Sequence, residues 1–307
     1  MDICNKRKYL VTGASGFIGL ALCRRLLDAG AFVHGAGRRD LTIDASQWSY
    51  STIDLTDSSA VDKMFGEVEP EFVIHLASCV TGKREIEWVS ETMLGNLVSA
   101  VHVMVAAQSS GASKCVLAGS LEEPEPGEPS AVPASPYAAS KWCASAYARM
   151  MHALYGLDVS VARIFMVYGP GQQDLKKLVP YVCTSAARGE SPKLMSGARP
   201  VDWIFIDDVV DGLIRMAHRG PVDGSYVDLG SGELVTTGDV ASRICSIADT
   251  GVTPDLGAVP DRAMEQVRQA NLAATESELG WTIKTDLDSG LEATYLWYRD
   301  LAAPDCQ

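Results

Sequence analysis

Short apolar runs alternate with stretches of helical period through the first two-thirds of the chain. Lys8–Thr12 is such a run, closed by glycines, and the helical pattern Ile18–Ala29 follows it. Phe32–Ala36, Tyr50–Ile53, Phe72–Leu76, Cys115–Ala118 and Val159–Ile164 read as further strands. Between them lie helical stretches around Ser59–Phe65, over Ile86–Ser109 and from Pro136 to Tyr155. Strand and helix in turn predict an α/β fold, a Rossmann-type doubly wound parallel sheet with helices on both faces.

The texture changes beyond Tyr168. Prolines and glycines become frequent, and the strands shorten to Trp203–Ile206 and Ser225–Asp228. Helices recur near Asp208–His218, Thr237–Ala248 and Thr275–Leu279. This predicts a first domain over residues 1–168, to which later segments return, and a smaller C-terminal α/β lobe over 169–307. Ligands of open α/β sheets sit beyond the carboxyl ends of the strands. The Pro- and Glu-rich stretch Glu122–Ser135 is expected to be an irregular loop at the border of that crevice.

The first βα turn carries the clearest chemistry. Gly13, Gly16 and Gly19 lie between a strand and a helix start, with Ser15, Phe17 and Ile18 among them. Gly13 suits a tight turn, Gly16 a close backbone approach to pyrophosphate, and Gly19 close helix–strand packing. The helix N-terminus then offers its amides and positive dipole end to the anion. A second strand follows about twenty residues on, so a dinucleotide site is expected. Where an NAD-selective site places an acid, the chain reads Gly37-Arg38-Arg39. Two guanidinium groups suit a ribose 2′-phosphate, so NADP(H) is favoured and NAD(H) remains open. Asp54 and Leu55 fall at the adenine end, although Asp57 nearby suits a helix cap. Leu76, Ala77 and Ser78 follow His75 along the pyrophosphate and nicotinamide ribose.

Tyr137 and Lys141 are four residues apart on a predicted helix and so share a face. A phenol is a poor base near neutral pH, its ordinary pKa being about 10. A neighbouring ammonium favours the phenolate, which lets the Tyr exchange a proton with a substrate oxygen. Ser120, at the carboxyl end of a predicted strand, suits a hydrogen bond to the same oxygen. Glu122 and Glu123 follow it, one of them a general base near the substrate or both solvated loop carboxylates.

Composition narrows the rest. A formal net charge of −13 over 307 residues disfavours a nucleic-acid partner, which needs a basic face. No run is long and uninterrupted enough to read as a membrane span, and no signal-peptide core follows Met1–Lys8, so a cytoplasmic protein is expected. The eight cysteines are scattered without zinc-type spacing and read as reduced thiols, with no metal site.

Together these residues resemble the extended short-chain dehydrogenase/reductase family, in its nucleotide-sugar epimerase, dehydratase and ketoreductase branch. The matching segments are Thr12–Gly19, His75–Ser78, Asn96, Ser120, Ser135–Lys141, Val167–Gln172, Asp202–Val209 and Leu279–Trp281. The resemblance implies an NAD(P)-dependent oxidoreductase with Ser120, Tyr137 and Lys141 as its catalytic set. It also implies a C-terminal lobe that binds an activated sugar, and a homodimer built on the helices Ile86–Ser109 and Pro136–Tyr155. Val101, Val103, Met104, Met150 and Met151 fit either that interface or an internal core.

Lys83, Asn96, Arg199 and Arg268 are the substrate-binding candidates, with Arg262 a further phosphate candidate. Departures from the family pattern are Leu121 after the serine, Met166 for an asparagine and Val201 for an arginine. The cation pair Arg38–Arg39 makes an NADPH-dependent ketoreductase of a nucleotide-activated keto-deoxysugar the leading expectation. Alternatives are an epimerase or dehydratase that recycles its cofactor, a reductase of a non-nucleotide carbonyl, and a cofactor-binding protein without catalysis. Glu122 matches the dehydratase carboxylate, but Leu121 stands where that chemistry needs a polar residue.

Overall fold

β1 (Lys8–Thr12) is buried at every position after its first, as a strand flanked on both sides must be. The computed structural model describes residues 2–124 and 131–302, and the statements below concern these residues. After β1 come α1 (Phe17–Asp28), β2 (Phe32–Gly37), β3 (Trp48–Thr52), α2 (Ser58–Val68) and β4 (Phe72–His75). α3 (Glu87–Thr92), a π-helical stretch over Met93–Val98 and α4 (Ser99–Ser110) then run on without a break. β5 (Lys114–Ser120), α5 (Pro136–Tyr155) and β6 (Val159–Ile164) follow.

Next are β7 (Met166–Tyr168), α6 (Leu178–Ala187), β8 (Pro200–Phe205), α7 (Ile206–Arg219) and β9 (Asp223–Leu229). The chain ends with β10 (Leu234–Thr236), α8 (Thr237–Ala248), α9 (Leu272–Leu279) and α10 (Leu287–Ala302).

The main sheet has the order β3-β2-β1-β4-β5-β6-β9, with parallel pairing from β3 through β6. This is the doubly wound order, whose direction reverses between β1 and β4. β8 pairs with β7 in parallel and with β10 antiparallel in a separate three-stranded sheet.

Two units form. The first takes the chain up to Ile164, then Val210–Asp228 and Ala274–Trp281; the second takes Phe165–Val209, Leu229–Ala273 and the chain from Thr282. Leu10, Phe65, Val73, Met104, Leu117, Met151 and Val161 belong to the core of the first. Tyr168, Val182, Trp203, Ile244, Leu291 and Tyr298 belong to the core of the second.

Three expectations change. The segment read as a strand of the small lobe, Ser225–Asp228, is β9, and it extends the main sheet beside β6. Ile206 begins α7 and is not a strand end. The helix read over Ile86–Ser109 contains the π stretch. Between Glu87 and Ser110 it is apolar enough by composition to cross a membrane, but Val103, Met104, Ala106 and Ala107 are core residues. Val103, Met104 and Met151 are buried, with Val101 and Met150 packed against the same cluster, so the internal-core alternative holds for them. The seven described cysteines are free; Cys306 lies outside the described residues.

Candidate active site

Gly13 takes φ +70°, and a Cβ there would stand 2.6 Å from the Ala77 amide nitrogen. Only glycine closes this turn against the end of β4. A Cβ on Gly19 would overlap the Gly13 carbonyl, whereas one on Gly16 would meet only that oxygen, at 3.2 Å. Gly16 is the N-cap of α1 and no side chain caps this helix. The Phe17, Ile18 and Gly19 amides therefore have no intrahelical acceptor. This cradle of open amides fits a dinucleotide pyrophosphate.

Beside it, the Thr12 hydroxyl lies 2.8 Å from His75 Nδ1 and accepts from the Ala77 amide at 3.3 Å. His75 is buried, and burial, aided by the charge of Lys141, lowers its pKa to about 3. The imidazole is therefore neutral, and its buried Nε2 has no partner among the described residues. Leu76 and Ala77 are half-buried just beyond it.

At the end of β2, a side chain on Gly37 would come within 2.8 Å of the Tyr50 hydroxyl. Tyr50 thus fills the space that a ribose-binding acid would occupy, and its hydroxyl donates to the Arg39 carbonyl. Arg38 and Arg39 are exposed, and Arg39 Nη2 donates to the Ser15 carbonyl at 3.0 Å. Asp54 accepts from the Thr56 amide at 2.9 Å and hydroxyl at 2.8 Å, which holds its carboxyl below the ordinary range. Leu55 is buried, and Asp57 caps α2 through the Ser59 and Ala60 amides.

Ser120 ends β5, and Tyr137 and Lys141 enter α5 one turn apart. The start of that helix is fixed locally: Ser135 Oγ accepts from the Ala138 amide at 3.1 Å and Pro136 occupies its first position. A hydrogen bond joins Ser120 to Tyr137 and favours the phenolate, but burial outweighs it and raises the phenol above its ordinary range. The expected lowering by the ammonium is not dominant. Lys141 is 4% exposed and Nζ donates to the Ala118 carbonyl at 2.8 Å. Burial lowers its pKa to about 8, with Glu123 acting in the opposite direction.

The two glutamates after Ser120 diverge. Glu122 is half-buried; its amide donates to Ser120 Oγ at 3.2 Å, and its Oε2 lies 3.5 Å from Ser135 Oγ as acceptor. Glu123 is fully buried, contrary to the solvated-loop alternative. Of the loop read over Glu122–Ser135, residues 125–130 lie outside the described residues.

Asn96, expected to contact substrate, is 1% exposed and occupied within the protein. Its Oδ1 accepts from Ser78 Oγ at 2.9 Å and the Cys79 amide at 2.6 Å, and Nδ2 donates to Ser140 Oγ at 2.9 Å. It braces the segment after β4 against α5. Lys83 is exposed, its ammonium 4.3 Å from the centre of the Trp88 ring. In the second unit, Arg199 pairs with Glu265 at 3.3 Å and donates to the Gln266 carbonyl at 3.1 Å, while Arg268 is half-buried and Arg262 exposed.

The family described as NAD dependent epimerase/dehydratase matches residues 9–227, which spans the glycine turn, Ser120, Tyr137 and Lys141. The chain belongs to this family. A UDP-glucose 4-epimerase of Mycolicibacterium smegmatis is 30% identical, with 95% of this chain and 98% of the relative covered. A dTDP-glucose 4,6-dehydratase of Neisseria gonorrhoeae is 27% identical, with 98% of each chain covered. Among solved structures, a Thermus thermophilus UDP-glucose 4-epimerase in complex with NAD has TM-score 0.83 and 25% identity, covering 95% of this chain and 98% of that one. Within the epimerase/dehydratase family the chain is an enzyme of the extended short-chain dehydrogenase/reductase type.

Proposed function

We propose that the chain is a nucleotide-sugar epimerase, which oxidises a sugar carbinol and re-reduces the same carbon on its other face. The carrying observation is the convergence of Ser120, Tyr137 and Lys141 at the end of β5, beside a Leu121 that is buried. Tyr137 takes the carbinol proton and later returns one, while Ser120 hydrogen-bonds the same oxygen. Lys141 holds the positive charge that favours the phenolate. A dinucleotide on the Gly13–Gly19 cradle supplies hydride acceptance and return.

Leu121 offers no proton to a leaving hydroxyl, which counts against water elimination even though Glu122 is suitably spaced as a base. The 30% identity to a UDP-glucose 4-epimerase over nearly the whole chain supports the epimerase reading over the expected ketoreductase. Arg199 and Arg268 are proposed as ligands of the substrate diphosphate, and Lys83 as a further substrate-binding residue.

Ketoreduction of a nucleotide-activated keto-deoxysugar with NADPH stays as a second reading because of one observation. Tyr50 fills the acid position next to the exposed Arg38 and Arg39, whose guanidinium groups suit a 2′-phosphate. Homodimer formation is proposed through exposed apolar residues of the helix after β4, including Ile86, Val89, Met93 and Leu94. A monomer in light scattering would remove that part.

The test is incubation with UDP-glucose and UDP-galactose in deuterated water, with and without NADPH. An epimerase gives a product of unchanged mass, inverted configuration and no carbon-bound deuterium. Loss of water would replace this reading by dehydration. With a nucleotide-activated 4-keto-6-deoxysugar, which has the ketone that UDP-glucose lacks, stoichiometric NADPH consumption and gain of two hydrogens would replace it by ketoreduction.

A further inference from the structure

Glu123 is 0% exposed, and three donors converge on its carboxylate. The Ser120 amide donates to Oε1 at 2.7 Å; Ser145 Oγ and the Tyr226 hydroxyl donate to Oε2 at 2.7 Å and 2.9 Å. These donors come from three elements: the end of β5, helix α5 and strand β9. Ser145 lies four residues after Lys141 and so on the same face of α5. The preceding residue makes room for this arrangement, since a Cβ on Gly119 would stand 2.7 Å from Glu123 Oε1.

The far side of the network is also built. Arg163 stands over the Tyr226 ring at 4.3 Å and pairs with Asp228 at 3.5 Å, with both side chains about nine-tenths buried. Tyr226 is thereby fixed before it reaches Glu123. Burying a carboxylate is expensive unless donors satisfy it. An apolar side chain here would leave the Ser120 amide and the Ser145 and Tyr226 hydroxyls without their acceptor. What the apolar replacement would lack is a clamp on the Ser120 peptide and a negative charge near Lys141.

We propose that Glu123 is the positioning residue of this site: it ties the strand end bearing Ser120 to helix α5 one turn past Lys141 and supplies the counter-charge that keeps Lys141 an ammonium. This rests on the Ser120–Tyr137–Lys141 chemistry proposed above. Among the described residues, the groups that act at Lys141 are the neutral His75 of β4, the Ala118 carbonyl of β5 and Glu123 from the loop after β5. Glu123 is the one that raises the lysine's pKa against the lowering by burial.

The experiment follows Lys141 directly. Protein carrying ¹³Cε-lysine is titrated by NMR as wild type and as Glu123→Gln, with the signal assigned by its loss in Lys141→Met. The Lys141 midpoint is expected to fall by roughly one pH unit in Glu123→Gln. The alkaline limb of kcat should move down with it, while KM for UDP-glucose changes less than twofold. An unmoved midpoint in folded Glu123→Gln overturns the proposal, because a purely structural glutamate would cost stability without shifting the titration.

Should Glu123→Gln fail to fold, Tyr226→Phe removes one donor by a single oxygen. A moved Lys141 midpoint with several-fold lower kcat is then expected, and wild-type values for both overturn the proposal. Tyr137→Phe is the control. Turnover that survives it removes the proposed function itself, and Glu123 is then judged on the Lys141 midpoint alone.

Discussion

Glu123 in the first unit and Asp202 in the second are both buried carboxylates, and they are satisfied differently. Asp202, 1% exposed in the second unit, accepts from the amides of Ser231 at 2.6 Å, Gly232 at 3.0 Å and Ala270 at 2.9 Å, and from Ser231 Oγ at 2.9 Å. Its partners are mostly backbone, so it fastens two loops to β8. Glu123, in the first unit, takes one amide and two hydroxyls and acts electrostatically on a buried cation. Burial raises the Asp202 carboxyl above its ordinary range despite four donors. The contrast separates a carboxylate that holds chain together from one that holds a reacting group in its working charge state.

Four changes would break or sharpen this contrast. The largest effect is expected from Tyr137→Phe, which should lower kcat by about three orders of magnitude while the protein stays folded. A loss below tenfold in a stopped assay of sugar configuration would put the reacting centre elsewhere. Asp202→Ala leaves several buried donors without an acceptor and should cost about 4 kcal/mol in urea unfolding. Near-wild-type stability there would mean that Asp202 is not a loop fastener, and the contrast with Glu123 would fail.

Lys141→Met should do the opposite and stabilise the protein. The folded pKa of about 8 lies below the ordinary 10.5, so between those values the unfolded chain binds more protons and wild-type stability rises with pH. At neutral pH the linkage cost is about 3 kcal/mol. Losing the bond to Ala118 returns about 1 kcal/mol, leaving a net gain of about 2 kcal/mol. That gain should fade as pH climbs from about 8 toward 10.5; a gain independent of pH would point to packing alone. The smallest effect is on the cofactor. Arg38→Ala should weaken NADP(H) binding about tenfold and NAD(H) binding less, as read by calorimetry. Equal losses for both would remove the 2′-phosphate from the argument.

What the sequence made legible follows from distance along the chain. The glycine turn, the Ser135–Pro136 helix start and the Tyr137–Lys141 spacing are each set within a few residues, and all three stand in the structure as expected. The Rossmann order could be expected because strand and helix alternate in the first unit. Glu123 was ambiguous because its partners lie 22 and 103 residues away. The place of β9 is hidden for the same reason: nothing local reveals that a strand so late in the chain pairs beside β6. Asn96 reads as a substrate contact in the sequence because no short-range pattern shows that its amide is occupied by Ser78, Cys79 and Ser140. The Tyr137 phenol was expected to be lowered by its lysine neighbour, but burial is a property of the packed site and carries no signature in residue spacing.

The π stretch Met93–Val98 bears on where this helix tolerates insertion and deletion. A π turn holds one residue more than an α turn, so it is what an α-helix becomes when it absorbs a single-residue insertion without losing its ends. Asn96 sits within it. Excising one residue from the π turn would restore ordinary winding and leave α4 facing as it does now. Val103, Met104, Ala106 and Ala107 would then keep their places in the core. A single deletion is absorbed here, whereas one residue removed from the α-helical turns of α4 would rotate everything after it by about 100°.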